Sequence, residues 1–318
     1  MDAIERVRGM GRGQARRVRI DGQRLWRGVY VGAGAEDDPN SLANRARAAL
    51  AISPPGALVC GLTALALIGA ELPKALAAQA QEAVHVLVTP ASWRGPRRPG
   101  LVVHREARAP ERWSARPAAI AIAHPAHCWA QVATALALEH PWLPGGERRP
   151  TARGLFVDPG KRRFLEAIQV ADALMRRQNP KLTEDQFRDH IAGLGRRRGV
   201  RTIRELAAHA RAGTDSLTET WLRLIVWDAG FPVPEVNHPV AAGGSTRFLD
   251  LAWPELKIDL EFQGRQHFEN QAQAFSDFQR RSQLGALGWR TVEAVYGDLA
   301  APGALVQRLA AAFAAASD

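Results

Sequence analysis

The sequence predicts a mixed α/β (α+β) protein: a C-terminal unit of helices and strands behind a basic, mostly helical region. Three observations carry this. From Ser216 onward the pattern runs helix, strand, strand, strand, helix, strand, helix. Charge reverses near residue 214, since residues 214–318 hold 8 Lys/Arg against 13 Asp/Glu while residues 1–213 hold 34 against 19. Between residues 164 and 211, three segments space their apolar residues as helices do. The expected domains are 1–70 (basic), 71–213 (a basic hairpin and helices) and 214–318.

The first 31 residues contain eight Arg and close on Arg24-Leu-Trp-Arg-Gly-Val-Tyr30, which reads as a short helix followed by a β-ribbon. Trp26 and Tyr30 either stack on bases or pack on the ribbon. Leu42, Ala46, Ala49 and Leu50 lie at helical spacing before Pro54 and Pro55, and Val59 to Ile68 reads as a second, buried helix. Val84 to Val88 and Leu101 to His104 read as strands around a basic turn from Trp93 to Pro99, which predicts a hairpin with a charged tip. Ala118 to Leu138 is apolar and broken at Pro125, and residues 140–160 read as loop. Helices follow at Phe164 to Met175, Thr183 to Leu194 and Thr202 to Arg211, the second opened by a capping box from Thr183 to Gln186.

In the C-terminal unit, Ser216-Leu-Thr-Glu219 is another capping box, opening a helix that ends at Ala229-Gly230. The strand Leu256 to Gln263 alternates: Leu256, Ile258, Leu260 and Phe262 face a core, and Lys257, Asp259, Glu261 and Gln263 share the other face. A hairpin turn centred on Pro254-Glu255 sets Asp250 opposite Asp259 and diagonal to Glu261. Carboxylates gathered this way repel one another unless a cation lies between them, and hard oxygen ligands suit Mg²⁺ or Mn²⁺. The alternative reading of the same residues is the solvated face of an open sheet.

The motifs over about residues 216–300 stand in a definite order. They are Ser216-Leu-Thr-Glu219, Ala229-Gly-Phe-Pro-Val-Pro, Phe248-Leu-Asp-Leu-Ala-Trp-Pro254, Leu260-Glu-Phe-Gln-Gly264 with His267 after it, Asp277 with Arg280 and Arg281, and Gly288-Trp289-Arg290. In these the chain resembles the PD-(D/E)XK nuclease superfamily, and within it a bacterial domain of unknown function related to the very-short-patch-repair endonuclease. The resemblance implies a restriction-endonuclease-like αβββαβ core and metal-dependent hydrolysis of DNA phosphodiesters. It makes Asp250 and Glu261 the carboxylates for Mg²⁺ or Mn²⁺, Glu219 a supporting acid, and His267 a general base or phosphate contact. The superfamily's lysine, two residues after Glu261, is here Gln263, whose amide can ligate a metal or position water but supplies no cation and accepts no proton at neutral pH. Arg265 or Arg280 is then the candidate replacement cation. Asp277, Arg280 and Arg281 have a plainer reading as ion pairs on a helix surface.

More loosely, the start of the chain resembles the AbiEi-type antitoxin family, whose members begin with a winged-helix DNA-binding module. Residues 24–30 look like the wing and Cys60 to Gly69 like the helix after it. Only about 20 residues precede the wing, so the resemblance implies a truncated winged-helix-like start. DNA is thus the expected partner, with Arg16, Arg17, Arg19, Arg24, Arg27, Arg280 and Arg281 as candidate contacts. A toxin or mobile element is a further implied partner. The alternative to the enzyme is an antitoxin-like or regulatory DNA-binding protein with an inactive nuclease fold.

No run of ~18 apolar residues occurs and the first residues lack an apolar signal core, which predicts a cytoplasmic protein with no membrane partner. Cys60 and Cys128 are too few for a disulfide framework. His124, His127 and Cys128 lie in an apolar segment with no evident fourth ligand, so core packing is expected there rather than zinc.

Overall fold

The computed structural model describes residues 4–7, 10–32, 38, 40–89, 95, 98–113, 120–138, 159–264 and 271–317, without the side chains of 5, 159–162, 271–278 and 317. The chain forms two compact units, Met1–Pro144 with Asp189–Ile203, and Gly145–Arg188 with Arg204–Asp318. The boundary expected at 213–215 therefore falls inside the second unit. The architecture is mixed α/β, with three sheets among the described residues.

The first unit opens with β1 (Ile4–Arg6), α1 (Arg12–Asp21), β2 (Gln23–Trp26) and β3 (Val29–Val31), the strands forming an antiparallel sheet in the order β1-β3-β2. Ala15 and Val18 bury one face of α1, which leaves Arg16, Arg17 and Arg19 exposed, as are Arg24 and Arg27 on the ribbon. The two-residue turn between β2 and β3 needs Gly28 at φ +80°. Trp26 donates its indole N–H to the Pro99 carbonyl at 3.1 Å, and Tyr30 is buried, so both pack rather than wait for bases.

Next come α2 (Leu42–Ala51), β4 (Leu58–Val59), α3 (Gly61–Leu67), α4 (Lys74–Glu82), β5 (Val84–Val88), β6 (Leu101–Arg105), β7 (Arg112–Trp113), β8 (Ile122–Ala123) and α5 (Pro125–Ala137). Their five strands form one sheet in the order β6-β5-β4-β8-β7. The hairpin expected between residues 84 and 104 is not formed: β5 and β6 run parallel, Val84 beside Leu101. Alternation fixes which face a residue takes but not strand direction, and a dozen residues suffice for a parallel return. Pro125 opens α5 instead of breaking it, because the first turn of a helix has no use for its missing N–H. Where α3 starts, Gly61 at φ +54° passes the His85 ring so closely that a Cβ would lie 3.3 Å from Nδ1.

The histidine pair is packed as expected. His127 Nε2 lies 3.0 Å from Glu106 Oε1, which also accepts from Arg197 at 3.3 Å, and the His124 ring stacks on His190 at 4.4 Å. Cys60 and Cys128 are buried free thiols, and burial pushes Cys128 up to about 12.

Helices α6 (Pro159–Leu174), α7 (Glu184–Ala192) and α8 (Val200–His209) follow. The capping box of α7 forms as expected, with Thr183 and Gln186 exchanging bonds of 3.0 and 3.2 Å. The second unit continues with α9 (Leu217–Asp228), β9 (Glu235–Ala242), β10 (Ser245–Trp253), β11 (Ile258–Phe262), α10 (Gln271–Ala286), β12 (Arg290–Ala294), α11 (Tyr296–Ala300) and α12 (Gly303–Ser317). The sheet order is β12-β11-β10-β9, antiparallel except for the β11–β12 pair. Gly243 and Gly244, both at positive φ, make the tight β9–β10 turn. Leu222, Ile225, Leu251, Leu260, Leu305 and Leu309 form the core on one face, while Leu284 and Trp289 cover Leu249 and Ala252 in a second cluster.

What joins α6 to this sheet is a buried ion pair. Asp172 of α6 is fully buried and accepts from Arg223 of α9 at 2.6 Å, from the Thr220 hydroxyl at 2.9 Å and from the Arg211 N–H at 2.8 Å. Burial raises the Asp172 pKa against the opposing pull of Arg223. Replacing one partner leaves the other uncompensated, so Arg223→Leu should lower the unfolding free energy of the second unit by roughly 3–5 kcal/mol, read by urea denaturation. The double change Asp172→Leu with Arg223→Leu should recover most of the loss.

Candidate functional site

The site is built from the start of α9 and from β10, β11 and β12. Ser216 caps α9 by accepting from the Glu219 N–H at 3.1 Å. Glu219 turns back and accepts from the Ser216 hydroxyl at 2.9 Å, the Asp215 N–H at 2.7 Å and the Asn237 amide at 3.1 Å. This fixes a carboxyl that is only 7% exposed. Burial first, and then the charge of Asp250, lift its pKa from 4.5 to about 7.

The β10–β11 turn is longer than expected. Pro254–Leu256 form a single 3₁₀ turn and Lys257 takes a left-handed conformation at φ 53°, so Ala252 pairs with Asp259 and Leu251 with Leu260. The register is thereby two residues off the expected one. Asp250 continues opposite Glu261 rather than Asp259, but the shift is even, so the three carboxylates keep a common face. Asp250 Oδ2 accepts from the Phe262 N–H at 3.0 Å. Asp259 accepts from the Thr291 hydroxyl of β12 at 3.2 Å, and its Oδ1 has no partner among the described residues.

This face is not solvated. Asp259 is 0% and Glu261 6% exposed, so the open-sheet alternative does not hold. Burial raises the pKa of Asp250, Asp259 and Glu261; Asp259 and Glu261 are raised further by neighbouring carboxylates. Arg280 of α10 answers that charge, forming an ion pair with Glu261 and donating to the Phe248 carbonyl at 2.8 Å. Arg281 pairs with Glu293 at 2.5 Å. A cleft of about 340 Å³ opens on the cluster, lined among others by Glu219, Asp250, Glu261, Gln263, Arg280 and Arg281.

Of the residues expected to form a site, the structure thus gathers Glu219, Asp250, Glu261, Gln263, Arg280 and Arg281. His267 and Arg265 lie outside the described residues. Thr291 and Asn237 were not anticipated, since the first depends on the β11–β12 register and the second on an isolated αL residue at φ 48°. Among the described residues, no group of three or more His, Cys, Asp or Glu is arranged to hold a metal ion. The hard oxygens at the cleft are those of Glu219, Asp250 and Glu261, the last paired with Arg280, and Asp259 Oδ1 on the same sheet face has no partner among the described residues.

Comparison with known proteins adds little to this geometry. No family model and no solved structure matches the chain. Two proteins of Mycobacterium tuberculosis, "Uncharacterized protein MT2308" and "Uncharacterized protein Rv2248", are each 30% identical over 146 residues, 45% of this chain. The match spans 53% of their length, so the chain covers about half of the curated relatives it matches.

Because Glu219 binds its proton more tightly folded than unfolded, its contribution to stability is full below about 4.5 and is lost as pH rises through about 7. In chelator, the melting temperature of the wild type relative to Glu219→Gln should therefore climb as pH falls from about 7.5 to 5. A difference independent of pH would show an ordinary carboxylate.

Proposed function

We propose that the second unit is a restriction-endonuclease-like, Mg²⁺- or Mn²⁺-dependent nuclease that hydrolyses DNA phosphodiesters. The observation that carries this reading is the gathering of Glu219, half-buried Asp250 and buried Glu261 at one polar cleft, with the fully buried carboxyl of Asp259 on the same sheet face. The element order α9-β9-β10-β11-α10-β12 agrees with the αβββαβ core that the motif resemblance implies. Asp250 and Glu261 would hold the cation, which when bound polarises a phosphate oxygen and acidifies an attacking water. Glu219, with a pKa of about 7, is suited to exchange a proton near neutral pH. Arg280 supplies beside Glu261 the positive charge that Gln263 cannot, and Gln263 itself offers an amide for orienting water or phosphate. The exposed arginines Arg16, Arg17, Arg19, Arg24 and Arg27 of the first unit form the electrostatic contact with DNA.

One observation favours a second reading. The ion pair between Arg280 and Glu261 already neutralises one expected metal carboxylate, as it would in a regulatory or antitoxin-like DNA-binding protein with a silent nuclease fold. Incubation with plasmid and Mg²⁺ or Mn²⁺, with and without chelator, separates the two. On the nuclease reading the wild type nicks DNA only with metal, Glu261→Ala and Asp250→Asn fall to background, and Gln263→Lys retains or gains activity. Absent cleavage supports the second reading, and cleavage that persists in chelator overturns the metal site.

The melt gives a check that does not need turnover. At ~100 times its dissociation constant a bound cation adds roughly 2.7 kcal/mol to the native state, so Mg²⁺ or Mn²⁺ should raise the melting temperature of the wild type. In Glu261→Ala the same additions should produce a visibly smaller shift. A wild-type melt unmoved at millimolar metal would count against a cation site.

A further inference from the structure

Beside the carboxylate cleft lies a second, more open groove of about 810 Å³, lined by Arg281, Arg290, Glu293, Val295, Asp298 and Arg308 among others. The two share Arg281 and Thr291, so they are continuous around one ridge. Thr291 is the residue whose hydroxyl reaches Asp259, which ties that ridge to the acidic cluster.

The groove's acids are already matched. Glu293 accepts from Arg281 at 2.5 Å, and Asp298 accepts from Arg308 at 2.8 Å and from the Val295 N–H at 2.9 Å. The arginines are not exhausted by these bonds. A guanidinium carries five N–H donors; Arg290 uses Nη1 alone, on the Ala312 carbonyl at 3.2 Å, and Arg308 uses only Nη2. Arg290 is exposed and faces no carboxylate partner among the described residues. Val295 on the groove's wall is 44% exposed, and the next residue, Tyr296, is 52% exposed with its ring edge-on to Phe262 of the carboxylate cleft at 5.0 Å. Guanidinium groups with N–H donors to spare make a surface for the phosphates of a sugar-phosphate strand.

We propose that this groove binds the DNA backbone next to the bond cut in the carboxylate cleft, with Arg290 and Arg308 contacting phosphates; the assignment rests on the nuclease reading for its register but not for its test. Neither arginine belongs to the expected site, and the acidic balance of residues 214–318 makes their position count. A phosphate neutralised by Arg releases counterions, so removing one arginine from a phosphate should reduce the slope of log affinity against log salt by about 0.9.

The experiment is fluorescence anisotropy of a labelled DNA duplex with the full-length protein in chelator, titrated across salt. Arg290→Gln should lower the slope by about 0.9, and Arg290→Gln with Arg308→Gln by about 1.8, while Arg290→Lys keeps it. Arg308 also holds the buried Asp298, so a thermal melt must show the double variant folded; Arg290→Gln stands alone if it is not. Slopes equal to wild type in a folded Arg290→Gln protein overturn the groove, whatever the plasmid assay shows. Reduced slopes in a protein that never cleaves plasmid uphold the groove as a DNA surface and sink only the nuclease reading.

Discussion

The constraint on which the second unit depends is electrostatic: four carboxyl groups lie within reach of one another, with Glu219, Asp259 and Glu261 buried and Asp250 half-buried. A buried charge without a partner is costly, so such groups must be hydrogen-bonded, paired or protonated. All three devices are visible. Glu219 is held by three donors, Glu261 by Arg280, and the raised pKa values of Asp259 and Glu261 mark a site that binds protons more readily than water-exposed carboxylates do. The same sheet that forces this arrangement buries Leu251, Ile258 and Leu260 on its opposite face, so the alternation that builds the core also gathers the acids.

That alternation is why the candidate cluster was legible before any coordinates. A period of two assigns Asp250, Asp259 and Glu261 to one face whatever the turn length, provided the register moves by an even number. The partner across the strand was not legible, because it depends on Lys257 taking a left-handed conformation that its residue type does not favour. Direction was equally hidden in the first unit, where β5 and β6 read as the two strands of a hairpin yet run parallel. Local signals fared better. The capping box at Thr183 forms, and at Ser216 the cap forms while Glu219 reaches back to the Ser216 hydroxyl and the Asp215 N–H instead of the Ser216 N–H. The charge reversal near residue 214 marks a change in composition, not in packing: Asp172 and Arg223, 51 residues apart, tie the helices before it to the sheet after it.

The two units distribute charge differently, and this bears on how a polyanion would be held. In the first, five arginines stand exposed on α1 and the β2–β3 ribbon without an ion pair among the described residues. In the second, Arg280, Arg281 and Arg308 are each matched to a carboxylate. Unmatched guanidinium gives range and salt-sensitive attraction, whereas matched guanidinium gives orientation, because the acid fixes the fork and leaves its remaining N–H groups aimed. A strongly basic surface and a nearly neutral, pre-oriented one are complementary rather than redundant.

Arg280 decides what chemistry the cleft can support. Unlike lysine, a guanidinium stays protonated at any working pH, so it offers a permanent positive charge and can never serve as the base. With Gln263 also unable to take a proton, on the nuclease reading proton transfer falls to His267, which lies outside the described residues, or to a carboxylate of the cluster. Glu219 is the group whose environment suits that role: its pKa is set near 7 by burial, its orientation by three donors, and its position by the cap of α9 rather than by a loop. On the nuclease reading, with Gln263 where the superfamily has lysine, the positive charge of the cleft falls to Arg280 of α10.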